Sequence, residues 1–152
     1  MAYTTADGRH QLLDTLAQAT EELGLALASL SEAYERLDES TAERLEQELF
    51  RPVQTAYGRA KRTHAEFAER YGLGADDFQP AIPGAPSRGV RGFLDDAVNA
   101  SAAADATLAT LQDSMLPVEV GDPELRAGLE EVRALLAHLG ARAHELVRTL
   151  GR

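Results

Sequence analysis

Apolar residues recur along most of this chain at alternating steps of three and four, the spacing that places side chains on one face of an α-helix. The central stripe of this kind consists of Phe50, Val53, Tyr57, Ala60, His64, Phe67 and Tyr71. It contains half of the aromatic residues of the chain and its only histidine at a position expected to face inward. We therefore expect any unusual chemistry of the protein to lie on this stripe.

Four amphipathic segments predict four helices of about thirty residues each. Their approximate bounds are residues 7–37, 41–71, 88–116 and 123–150. The phase slips after residue 37, where Ser40 and Glu43 have the spacing of a capping box. Asp122-Pro123-Glu124 opens the last helix with an N-cap residue and a proline at the first helical position. With no strand pattern and no internal repeat, the sequence predicts one all-α domain over residues 1–152, arranged as a four-helix bundle.

Pro52 interrupts the second helix, where it removes a hydrogen-bond donor and costs about 3 kcal/mol or forces a kink. The apolar stripe also rotates there, from Leu45 and Leu49 to Phe50 and Val53. We expect a bend or break near residues 48–52.

Residues 72–87 form a Pro/Gly-rich connection that is longer than the two to eight residues usual between bundle helices. Gly72 is a candidate C-cap. The segment is long enough to cross the bundle lengthwise, which would make helix 3 parallel to helix 2. Its turn-forming residues instead favour an antiparallel helix 3 and an up-down-up-down order. Phe78 and Ile82 are expected to pin the connection to the bundle surface.

Small residues dominate the middle of helix 3, from Ala97 to Ala106, and indicate either a close helix contact or room beside a bulky neighbour. Gly24, Gly58, Gly128 and Gly140 each cost a helix about 1 kcal/mol. Such glycines suggest close helix approach at some of these positions.

The formal net charge is −10, from 15 basic and 25 acidic residues, and argues against nucleic-acid or anionic-membrane partners. There is no cysteine, which excludes disulfides and thiol chemistry. Charges interrupt the N-terminal leucines, and no stretch approaches the roughly 20 apolar residues of a membrane span. We expect a soluble, unexported and cytoplasmic protein.

The motifs of common chemistries are missing from the sequence. No histidine follows a glutamate at the Glu-x-x-His spacing of di-iron bundles, and nucleophile elbows, phosphate loops and dinucleotide fingerprints are absent. His138 and His144 flank the leucine seam of helix 4 and are expected to be solvated. The sequence therefore predicts no catalytic residue, metal or cofactor, and it favours a role other than catalysis.

His64 has two interpretations. In the first, it is a packed neutral histidine whose ring nitrogen finds one partner. In the second, Tyr57 and His64 are the polar groups of a pocket left open by the small residues of helix 3, with Asp96 or Asp105 as the charge partner.

Two functions follow from these patterns. The leading hypothesis is a helical-bundle protein that binds another protein or itself, because the amphipathic helices are long and catalytic motifs are absent. The alternative is a small-molecule-binding or enzymatic bundle with an interhelical pocket around Tyr57 and His64. No substrate, ligand or partner can be named from the residues.

Overall fold

The computed structural model describes residues 4–150, and within them the chain is helical with no strand. The elements are α1 (Thr5–Tyr34), α2 (Glu39–Leu45), a π-helical turn (Glu46–Phe50), α3 (Arg51–Arg70), a 3-10 turn (Pro86–Arg88), α4 (Gly89–Asp113), α5 (Leu116–Glu119), α6 (Pro123–Leu136) and α7 (Leu139–Leu150). The all-α prediction is confirmed. The predicted helix 2 corresponds to α2 and α3 together, and the predicted helix 4 to α6 and α7.

The first two helices begin at residues other than those expected. Thr4 caps α1, since its hydroxyl accepts a hydrogen bond from the Asp7 N–H at 3.0 Å and a capping box is complete. The helix therefore starts at Thr5 rather than near residue 7. At α2 the cap is Asp38, whose carboxylate accepts from the Thr41 N–H at 2.8 Å. Ser40, the expected cap, lies inside that helix.

The irregularity expected near Pro52 is present, as a π-helical turn inside continuous helix rather than a break. In this turn the Arg51 N–H donates to the Glu46 carbonyl, five residues back. Pro52 follows at the start of α3 and has no N–H for the Glu48 carbonyl four residues before it. The guanidinium of Arg142 approaches that carbonyl at 3.5 Å. The extra residue of the turn lets the helix pass a proline while the buried face continues.

Side-chain contacts show that α1 and α4 run in opposite directions. Thr107, in the last third of α4, donates a hydrogen bond at 2.9 Å to Glu22, just past the middle of α1. Just beyond the end of α1, the guanidinium of Arg36 lies 4.9 Å from the ring centre of Phe93, near the start of α4. Small buried residues on both helices permit their close contact, namely Ala19, Ala26, Ser29 and Ala33 on α1 with Ala97, Ala100, Ser101 and Ala104 on α4.

The same reasoning gives the direction of α3. The guanidinium of Arg9, near the start of α1, stacks on the Tyr71 ring at 3.8 Å just after α3 ends, so α1 and α3 are antiparallel. Because α4 also opposes α1, α3 and α4 run in the same direction. Contacts between Arg70 at the end of α3 and Asp122 at the start of α6 make α6 antiparallel to α3.

The expected up-down-up-down order does not fit these contacts. It required residues 72–87 to turn back on themselves, whereas the chain from Tyr71 to Arg88 runs from one end of α3 to the level of its other end. Seventeen residue steps can span roughly 55 Å, against about 38 Å for the 25 residues of α4. We call residues 73–84 the strap. Prolines suit this extended course because they fix the backbone without requiring a regular hydrogen-bond partner.

Candidate functional site

His64 is the buried titratable residue of the central stripe, with 1% of its surface exposed. Its Nε2 lies 3.3 Å from Oδ2 of Asp76, which is within ion-pair distance, yet neither ring nitrogen makes an aligned hydrogen bond. The ring of Phe78 meets the imidazole edge-to-face, with the ring centres 5.3 Å apart. The histidine is therefore covered by the strap rather than open to a ligand.

The end of α3 determines where the strap begins. Gly72 adopts a φ of 65°, a left-handed conformation that suits glycine, and its N–H donates to the Glu69 carbonyl. The Leu73 N–H donates to the Ala68 carbonyl at 2.8 Å, which completes a Schellman motif. The predicted C-cap at Gly72 is confirmed, and it turns the chain back over the His64 face.

Burial lowers the pKa of His64 below its ordinary value, because the charged imidazolium loses its hydration. The negative charges of Asp76 and, more weakly, of Asp14 on α1 act in the opposite direction. Asp76 is 57% exposed at its side chain, so water screens much of its attraction. Desolvation prevails, and the fold favours the neutral ring.

The four candidate site residues do not converge in the structure. Tyr57 is half-buried and packs against Gly24, with Lys61 over its ring. Asp96 forms a two-pronged ion pair with Arg88 at 2.6 and 3.1 Å. Asp105 pairs with Arg133, Nε to Oδ1, at 2.9 Å. The carboxylate next to His64 is that of Asp76, a strap residue that the sequence reasoning did not consider because no periodicity marks it.

A second polar cluster lies at the C-terminal end of α3, six residues after His64. The sequence predicted only one of its contacts, the cap at Asp122. Asp122 caps α6 through the Leu125 N–H at 2.8 Å, as its sequence context indicates. It also accepts two hydrogen bonds from Arg70, at 2.6 and 2.8 Å, and one from the Tyr71 hydroxyl at 3.1 Å. Burial acts to raise the pKa of Asp122, but these donors outweigh it and hold the pKa below its usual value.

An apolar surface lies where the strap passes α1 and α4. Ile82 is 88% exposed and Leu25 is 39% exposed. A groove of about 480 Å³ adjoins them, lined also by Ser29, Pro83, Gly84, Asp96, Asn99 and Ala100. We call this groove and the two exposed residues the Ile82 surface. Phe78 anchors the strap as expected, whereas Ile82 points to solvent and does not pin it.

Within residues 4–150, no group of three or more histidine and carboxylate side chains is placed to hold a metal ion. No helix in that part of the chain is long and apolar enough to cross a membrane. His138 and His144 are exposed, as expected.

No known protein family, curated protein or solved structure matches this chain.

Proposed function

We propose that this protein is a four-helix bundle that works by self-association through the Ile82 surface. The bundle would consist of α1, α2–α3, α4 and α6–α7 in an up-down-down-up order, with the strap as its one long crossover. The observation that carries the proposal is the exposure of Ile82, a large aliphatic side chain, beside an unfilled groove. Single exposed leucines are ordinary, but an isoleucine held above an apolar groove on a proline-rich strap is a candidate contact.

The occupant we propose is a second copy of the chain. A two-fold contact uses one patch twice, so the patch must carry both a projection and a recess. Ile82 is the projection, and the groove beside Leu25 and Ala100 is the recess. In the dimer, Ile82 of each copy enters the groove of the other.

Charge is compatible with this contact despite the net charge of −10. Asp96 is the acidic residue of the groove lining, and it is already neutralised by its two-pronged pair with Arg88. The recess therefore brings no uncompensated carboxylate to the interface, where an unpaired charge would oppose association. The acidic surface elsewhere favours a protein partner over nucleic acid, and we expect a cytoplasmic location.

Sedimentation velocity over a range of protein concentrations tests the proposal. The wild-type protein is expected to form a dimer, and Ile82→Glu should raise the dimer dissociation constant at least about tenfold, by placing a charge in the recess. Val118→Glu is the matched control, since Val118 is 56% exposed on α5 and does not line the groove of the Ile82 surface. A wild-type protein that stays monomeric at all concentrations would refute the proposal, as would equal effects of the two substitutions.

The alternative function, a small-molecule site around Tyr57 and His64, draws support from the two nitrogens of His64, neither of which makes an aligned hydrogen bond. A ligand there would have to displace Phe78, which covers the imidazole. Asp96 and Asp105 would take no part in it, because each is held by an arginine. This cost makes ligand binding the weaker of the two proposals.

A further inference from the structure

We propose that His64 is a pH-sensitive latch that holds the strap against α3. The latch consists of three side chains, His64 on α3 with Asp76 and Phe78 on the strap. It stands independently of the proposed self-association, because it concerns the attachment of the strap within one molecule.

The geometry favours a closed strap only while the imidazole is neutral. His64 is almost fully buried, and the Phe78 ring covers it. Nδ1 has no hydrogen-bond partner, and Nε2 faces only the solvent-exposed carboxylate of Asp76 at 3.3 Å without an aligned hydrogen bond. An imidazolium would therefore hold one donor with no partner and one whose partner is screened by water. A charged group in this position is stabilised only if water reaches it, and water reaches it only if the strap moves.

The charged groups that face His64 come from two elements. On the strap, Oδ2 of Asp76 lies 3.3 Å from Nε2 of His64. On α1, the negative charge of Asp14 attracts the imidazolium from a longer distance. Both are acidic and favour the imidazolium, but both are exposed to solvent, which screens them. The two carboxylates reduce the free-energy cost of protonating the buried His64, but they do not remove it.

The sign of the pH dependence follows from these contacts. An open strap leaves His64 hydrated, with a pKa near the ordinary value of about 6.5. A closed strap lowers that pKa, because burial opposes the charge. Protons therefore bind the open form more readily, and opening becomes more frequent as the pH falls below about 6.5.

Two nuclear magnetic resonance measurements on the full chain test the latch. The first follows the imidazole signals of His64 with pH, and His64 should titrate below the ordinary histidine value of about 6.5. The second measures exchange of the Leu73 amide, which is bonded to the Ala68 carbonyl where the strap begins. After correction for intrinsic exchange, its rate should rise severalfold between about pH 7.5 and pH 5.5.

His64→Gln should abolish the rise in Leu73 exchange, and His144→Gln, at an exposed position, should retain it. A His64 that titrates at or above the ordinary value of about 6.5 would overturn the latch, and so would Leu73 exchange that does not change with pH. If His64→Gln fails to fold, the titration of His64 and the exchange of the Leu73 amide in the wild-type protein still decide the question. Working at concentrations where the protein is monomeric separates this result from the fate of the proposed dimer.

Discussion

Helix α3 carries two polar sites of opposite character, separated by six residues or roughly 9 Å along the helix axis. At its end, Asp122 of α6 receives hydrogen bonds from Arg70, the Tyr71 hydroxyl and the Leu125 N–H. One and a half turns earlier, His64 is more deeply buried and has no aligned hydrogen bond.

The difference shows that the number of partners, and not burial alone, decides whether a charge persists inside a fold. Asp122 keeps its charge because its donors outweigh desolvation, and its pKa is lowered. His64 loses its charge because its one close carboxylate is exposed to water, and its pKa is lowered as well. A lowered pKa thus favours the charged form of the acid, Asp122, and the neutral form of the base, His64. The first site fastens α3 to α6, whereas the second leaves the strap sensitive to protonation.

The largest expected effect is at Asp122. Asp122→Ala removes the α6 cap and leaves Arg70 without its partner, so the free energy of unfolding should fall by about 3 kcal/mol. Urea denaturation at neutral pH measures it. Asp38→Ala is the control, because Asp38 caps α2 at an exposed position without an arginine partner, and it should cost clearly less. Equal losses would mean that the bonds from Arg70 and Tyr71 add nothing to the cap.

The Asp122 site also has a defined pH dependence. Because the pKa of Asp122 is lower in the folded than in the unfolded chain, its contribution is fully present above the ordinary pKa of about 3.9. It is lost as the pH falls further, through the folded pKa. The stability difference between wild-type and Asp122→Ala should therefore narrow below about pH 4. A difference that stays constant down to acid pH would contradict the assignment.

A second prediction compares two faces of α3, the one that packs against α6 and the outer one. It uses glycine-to-alanine substitutions at Gly128, which faces α3, and at Gly58, on the outer face. A Cβ added to Gly128 would overlap Oγ1 of Thr63 and lie 2.8 Å from its Cγ2, whereas one on Gly58 would meet nothing within 4 Å. Gly128→Ala should destabilise by about 1–3 kcal/mol through overpacking. Gly58→Ala should stabilise by up to about 1 kcal/mol, because alanine favours the helix. Thermal unfolding of both variants provides the measurement, and a stabilising Gly128→Ala would show that the two helices separate at little cost.

These residues also show how much of the structure could be predicted from the sequence. The helices and their inward faces follow from local periodicity, and so does the cap at Asp122, which needs only its neighbours in the chain. The need for close helix approach could be suspected at four glycines, but Gly128 and Gly58 differ only in what lies across from them.

Neither the direction of α4 nor the partner of His64 could be predicted from the sequence, and the reason is the same for both. Both depend on the path of the strap, and a segment rich in proline and glycine has no periodic pattern that fixes its course. Asp76 could not be singled out from the other acidic residues until that course was known. Asp96 and Asp105 were candidates because they lie on helix 3, whose small residues suggested a pocket, but they are bound by Arg88 and Arg133.

The smallest expected effect is at Asp76, and it sharpens the contrast between the two sites. Asp76→Asn should change the free energy of unfolding at pH 7.5 by less than about 0.5 kcal/mol, because the carboxylate is largely exposed and the imidazole beside it is neutral. Its effect should appear instead in the titration of His64, whose pKa should fall further once the nearest negative charge is removed. Opening of the strap would begin at the same pH, since the open form is unchanged, but would continue to increase to lower pH. A loss of stability at pH 7.5 as large as that of Asp122→Ala would show that His64 and Asp76 form a charged pair, and the two sites on α3 would then be alike.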